Sequence, residues 1–266
     1  MSAAPGAGVQ REWRRFTPAQ RLARFAVYLA LMTAIVVSAQ TVEVIPEFLL
    51  DAPEQMADLL QRMWPVAFAY YPKGVHEALI ETLHIATLGT IISVVIAFPI
   101  GLAAAHSIAP SRPLNLVARL LLVSSRSVNS LVWALLFVAV FGPGTLAIAF
   151  RSVGFVGKLV GEAVDEANRG TIEALEATGA PWLSTLTFGY WPQIQPAFWS
   201  VVLFRWDINV RESAVLGLVG AGGIGMALDT AMNLFQWDRV AMVLLAIFAV
   251  VIVAEIAVTA IRKRIL

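Results

Sequence analysis

No cysteine occurs among the 266 residues, and histidine is limited to His76, His84 and His106. Disulfides, thiolate metal sites and thiol nucleophiles are therefore excluded, and the three histidines show no metal-ligand spacing. Charge is scarce as well. Only 14% of residues are Asp, Glu, Lys or Arg, against 59% hydrophobic, and the mean hydropathy is +0.76. A soluble domain carries about 25% charged residues, and a surface so poor in charge cannot keep a globule of this size dispersed in water. The chain belongs in lipid. No basic stripe interleaved with aromatics is present, which removes nucleic-acid binding. A nucleotide-binding P-loop is missing too, because Gly154-Phe155-Val156-Gly157-Lys158-Leu159 lacks both the spacing and the hydroxyl.

Apolar runs predict six membrane helices, at 22–42, 77–104, 114–141, 144–163, 192–216 and 239–261. Arg11, Arg14, Arg15, Arg21 and Arg24 precede the first, and Arg262, Lys263 and Arg264 follow the last. Positive flanks stay inside, so both termini are expected in the cytoplasm, as an even number of spans requires. Residues 43–75, with five acids against two bases, then form an external loop. Residues 25–39 end in Val37-Ser38-Ala39, like a cleavable signal peptide, but apolar character continues through Val42 and Val44. An uncleaved first helix is the expectation. In the loop, Asp51-Ala52-Pro53-Glu54 offers a cap, a first-turn proline and a capping-box acid. Phe48, Leu49, Met56, Leu59, Leu60 and Met63 recur at helical spacing, and with Trp64, Tyr70 and Tyr71 they predict an amphipathic helix at the bilayer interface. The chain thus reads as a tail at 1–21, a first helix, this loop, and a membrane core at 76–266.

Between the fourth and fifth spans the chain turns wet, with Glu162, Asp165, Glu166, Arg169, Glu173 and Glu176. On a helix starting near Thr171, Ile172, Leu175 and Gly179 share one stripe that can dock into a groove on another protein. Gly179 can end that helix in a left-handed conformation, and Pro181 can open the next turn. An ordinary amphipathic loop helix has the same spacing.

Glu173-Ala174 with Gly179 five residues on, and Pro192 after twelve more, resembles the cytoplasmic coupling motif of ABC importer permeases. The series Pro192-Gln193, Phe204-Arg205-Trp206-Asp207-Ile208-Asn209-Val210-Arg211 and Val219-Gly220-Ala221-Gly222-Gly223-Ile224-Gly225 is similar to the permease subunit of phosphonate ABC importers. Ser125-Arg126-Ser127-Val128-Asn129-Ser130 fits the same family. The resemblance implies an all-α type I permease fold in a bacterial inner membrane, with a coupling segment at about 164–190. It makes Glu173, Ala174, Gly179 and Pro192 the residues that engage a separate ATPase, and places Gly220, Gly222, Gly223 and Gly225 at an external gate. It also implies two ATPase subunits carrying ATP and magnesium, a second identical or related permease chain and an external solute-binding protein. No cofactor and no chemistry are expected on this chain. The solute would be a phosphonate, or alternatively phosphite, hypophosphite or phosphate.

Charges inside predicted spans are costly, about 2.5–3.5 kcal/mol each at the bilayer centre, so none should face lipid there. Arg119, Arg126 and Asn129 fall on one helical face, as do Arg205, Asn209 and Glu212; Asp207 and Arg211 are an i,i+4 pair. Arg119 and Arg151 can snorkel to an interface. A guanidinium matches a phosphorus oxyanion better than an ammonium does, and amides complete the shell. Arg126, Asn129, Arg205, Asn209 and Arg211 are therefore the candidate path residues. Residues 220–225 also fit Gly-x-Gly-x-x-Gly, but they follow a membrane helix rather than a strand, which removes the dinucleotide reading. Two rivals remain on the residues alone. An ion-driven secondary transporter would use Glu255 for coupling, and a membrane hydrolase would need a nucleophile and base that the three histidines do not supply in any evident arrangement.

Overall fold

The computed structural model describes residues 16–42, 46–142 and 144–265, and no β-strand occurs among them. Two compact units divide the chain, 1–58 and 59–266. In the first, α1 (Pro18–Thr41) opens on a capping box. Gln20 N–H donates to Thr17 Oγ1 and Thr17 N–H to Gln20 Oε1 at 3.1 Å, which satisfies two N-terminal donors reciprocally. Its 24 residues reach about 36 Å.

Helix α2 (Pro46–Arg62) begins five residues before the predicted start. The capping box expected at Asp51 is therefore not used, because Pro46 already supplies a first-turn proline, and Pro53 is carried inside the helix. Tyr70 and Tyr71 also depart from expectation. With Val66 and Val75 they pack into the second unit, against Ala227, Leu228, Val243 and Ala246, while Trp64 alone stays widely exposed.

The second unit is a helical bundle of α3 (His76–Ala104), α4 (Arg112–Ser127), α5 (Ser130–Phe141), α6 (Thr145–Asp165), α7 (Arg169–Ala177), the single turn α8 (Trp182–Ser184), α9 (Trp191–Leu216), α10 (Ile224–Asn233) and α11 (Trp237–Ile265). Helix α6 is its axis, packed by α3, α4, α5 and α9 and buried along its length from Ala147 to Val164. Small residues allow that closeness: a Cβ on Gly154 would stand 2.5 Å from the Leu122 carbonyl oxygen, so α4 and α6 touch backbone to backbone there. The enclosure explains how a span can carry Arg151, while Lys158 and Glu162 lie on its more exposed side and pair with each other at 3.0 Å. Among the described residues, four stretches, 18–41, 68–104, 182–233 and 237–265, are long and apolar enough to cross a membrane. Helix α6 is not among them, because Arg151, Lys158, Glu162 and Asp165 make it too charged.

The third predicted span is broken. Helices α4 and α5 meet at 93°, with Val128 and Asn129 both extended (ψ 142° and 146°). Asn129 caps α5 by accepting from the Leu131 N–H at 3.0 Å, and Trp133 Nε1 reaches back across the break to the Ser125 carbonyl at 3.2 Å. Asn129 therefore does not continue the face of Arg119 and Arg126. Its side chain is spent on the backbone.

Candidate functional site

One end of the bundle carries α7. Asn168 caps it by accepting from Gly170 N–H at 2.9 Å, and Gln193 Oε1 accepts the Asn168 N–H at 2.8 Å, tying the helix start to α9. Gln193 was not among the candidate residues; only its place beside Pro192 marked it. The helix stops at Thr178, and Gly179 follows at φ +78°, a conformation open to glycine without a Cβ penalty. Pro181 then leads into the single turn α8.

The expected stripe divides here. Ile172 is buried and Leu175 half-buried, both against Gly189, and Ile172 clusters further with Tyr190 and Ile194 of the same chain. Gly179 has open space around it. The face left open is instead Glu173, Ala174, Glu176 and Ala177, all exposed, with Gly179 at its end. The stripe reading erred because the bundle needed those apolar residues as its own lid. Pro192, in the first turn of α9, is exposed too.

Behind α7, a polar clamp fixes the ends of α3, α4 and α6. Asp165 accepts from the N–H groups of His106 (3.1 Å) and Ser107 (2.9 Å) and from the Ser107 hydroxyl (2.9 Å). Arg119 Nε donates to the Ala104 carbonyl at 3.0 Å, and its guanidinium lies 3.8 Å from Asp165. Arg119 thus serves the clamp. Burial opposes ionisation of Asp165, but the two backbone N–H groups, the hydroxyl and His106 together hold its carboxyl below the ordinary range.

From the clamp a furrow follows α4 and α6. Its first part, about 180 Å³, is lined by Arg119, Arg126, Lys158, Glu162 and Asp165 among others. Val123 and Arg126 also line a second, open cleft of about 400 Å³, completed by Ser127, Arg151, Phe155 and Arg205. Three guanidiniums from three helices converge on it. Arg205 is 2% exposed, donates through Nε to Ser152 Oγ at 2.8 Å and reaches Glu212 Oε2 at 3.0 Å. Arg151 pairs with the other oxygen of Glu212. Arg126 forms no ion pair among the described residues and is exposed.

Of the five candidate path residues, the structure brings Arg126 and Arg205 to this cleft and adds Arg151, which the sequence offered only as an interface residue. Asn209 is fully buried behind it, donating to Thr90 Oγ1 at 2.8 Å and accepting from Ser152 Oγ at 3.1 Å. It positions Ser152 and so Arg205. Arg211 lies elsewhere, 2.7 Å from Asp207 and 3.5 Å from Glu255, the acid an ion-driven transporter would need.

At the other end of α9, residues 217–223 fold back into the bundle. Gly220, Gly222 and Gly223 have φ of +82°, +92° and +72°, and Ile224 N–H donates to Thr82 Oγ1 at 2.8 Å. A Cβ on Gly225 would overlap the Ala214 carbonyl oxygen. Gly222, Gly223 and Gly225 are closely packed, whereas Gly220 serves its positive φ; the Gly144 N–H bond to the Ala221 carbonyl at 3.0 Å joins the loop to the start of α6.

Residues 97–266 match the family described as binding-protein-dependent transport system inner membrane component. The phosphite transport system permease protein PtxC of Stutzerimonas stutzeri is 37% identical over 220 residues, covering 81% of this chain and 80% of that one. The phosphate-import permease protein PhnE of Mycolicibacterium smegmatis is 34% identical over 237 residues, which is 88% of this chain and 44% of that relative. Among solved structures, the inward-facing methionine ABC transporter MetNI contains a chain with TM-score 0.63 and 18% identity, over 73% of this chain and 96% of its own. An amino acid ABC transporter gives TM-score 0.60 at 18% identity, over 79% and 97%. These two likenesses speak to fold.

Proposed function

The chain belongs to the binding-protein-dependent transport system inner membrane component family and is an ABC importer permease, and from that premise we propose that its solute is a phosphorus oxyanion, a phosphonate or phosphite. The observation that carries the solute class is the convergence of Arg126, Arg151 and Arg205 on one cleft. Planar guanidinium forks suit the several oxygens of such an anion, and the open side of the cleft lets it leave again. Relatives named for phosphite and phosphate import support the same class.

The drive comes from outside this chain. Glu173, Ala174, Glu176, Ala177 and Gly179 form the docking face for an ATPase subunit, which carries ATP and magnesium. Pro192 borders that face. Movement of α7 reaches the cleft mechanically, because Ile172 and Leu175 rest on the start of α9 and Gln193 pins the loop. Arg205 lies on that same rigid helix, about 20 Å farther along. Two ATPases and a second permease chain complete the machine. An external binding protein delivers the anion to the end bearing Gly220, Gly222, Gly223 and Gly225, which act as the gate there. Both termini lie in the cytoplasm of a bacterial cell.

The test is uptake and ATP turnover in proteoliposomes holding the whole transporter, with phosphite, 2-aminoethylphosphonate, hypophosphite and phosphate offered in turn. One oxyanion should stimulate both, and Gly179→Asp should uncouple them. If none of the four is carried while the complex assembles, the solute class is wrong.

A further inference from the structure

Glu212 does not line the cleft itself but pairs with two of the three arginines that do, and transport of an anion gives it no evident place. Both its oxygens are engaged by guanidiniums, one by Arg151 and one by Arg205. Arg205 is fixed from behind by Ser152, which Asn209 and Thr90 hold in turn. Arg151 and Glu212 are the looser members, with side chains 28% and 18% exposed. To these two arginines a carboxylate presents what a phosphorus oxyanion presents: a negative charge shared over oxygens that accept from both forks. Three guanidiniums against this carboxylate leave two positive charges uncompensated in the cleft, and Arg126 is the guanidinium held by no acid among the described residues.

We propose that Glu212 is a built-in competitor for the transported anion. While the cleft is empty, Glu212 occupies the donors of Arg151 and Arg205. A passing oxyanion is drawn first by Arg126 and takes donors from Glu212 only in exchange. It therefore never meets three free guanidiniums at once, and its binding stays weak enough for release. This inference rests on the phosphorus-oxyanion reading. It assigns Glu212 the task of keeping the site leaky and Arg151 a direct part in the path.

The experiment measures phosphite retention by the purified whole transporter without its binding protein, through phosphorus NMR line broadening, beside thermal stability. Glu212→Gln should hold phosphite about tenfold more tightly, a change worth about 1.4 kcal/mol, and should carry it more slowly at saturation. Glu212→Asp keeps the charge with a shorter reach and should fall between. If Glu212 is only structural glue, either variant lowers the melting temperature while retention stays unchanged or weakens, and that result overturns the proposal. Glu212→Asp decides the matter should the glutamine variant not fold. Wild-type uptake of phosphite is scored separately: if it fails, the solute reading fails, whereas normal uptake with unchanged retention in both variants removes the counter-ion role alone.

Discussion

Arg126 and Arg205 share a cleft but differ in what holds them, and their variants should differ accordingly. Arg126→Ala removes an exposed group with no ion pair among the described residues, so melting should stay within about 0.5 kcal/mol of wild type. Uptake should nevertheless fall roughly tenfold, as for loss of about 1.4 kcal/mol of anion stabilisation. Arg205→Ala strips a buried partner from Glu212 and Ser152 and should cost about 2–4 kcal/mol of stability besides transport. Normal uptake by both variants would remove the path. Asp165 gives a pH test. Its folded-state pKa lies below the ordinary 3.8, so its clamp stabilises at neutral pH and is lost as the pH falls through that lowered value. Asp165→Asn should therefore cost about 1 kcal/mol of stability at pH 7 after allowance for its partial exposure, and the gap from wild type should close in acid. Part of this site was legible from spacing: Arg205, Asn209 and Glu212 do lie together on α9. Their division of labour was not, because it depends on Arg151 and Ser152 from a helix more than fifty residues away.

At the scale of elements, apolar runs located the helices to within a few residues, since a span needs both length and hydropathy. The break between α4 and α5 escaped them. A run that stays apolar on both sides of Val128-Asn129 reads as one helix, although Asn129-Ser130 is a cap signal in retrospect. The stripe on α7 was found but its direction was not, because periodicity shows that a face is apolar without saying what covers it. That direction makes two opposite expectations. Ala174→Trp alters the outward face and should abolish co-purification of the ATPase while leaving the permease as stable as before. Ile172→Ala empties the inward face, should cost about 2–4 kcal/mol, and should keep the ATPase bound with poorly coupled turnover. Loss of binding in the second and not the first would reverse the assignment. Gly225→Ala, in the first turn of α10, should destabilise by about 1–3 kcal/mol through overlap with the Ala214 carbonyl.

Taken whole, the bundle has a charged centre inside an apolar sheath. Helix α6 can carry Arg151 through the membrane because α3, α4, α5 and α9 surround it, and α9 joins the partner-facing end to the glycine loop in 26 residues. On an exposed side of the bundle, Arg211 bridges Asp207 and Glu255, so Glu255 is engaged by a guanidinium. The absence of cysteine helps at this scale: Ala174→Cys introduces a unique thiol, which should crosslink to the ATPase in the assembled complex. The most direct measurement is accumulation of phosphite in proteoliposomes of the complete transporter, with ATP supplied or withheld and with a proton or sodium gradient imposed or collapsed. Uptake should require ATP, ignore the gradients and vanish with Gly179→Asp. Uptake that proceeds without ATP and follows either gradient would contradict the account.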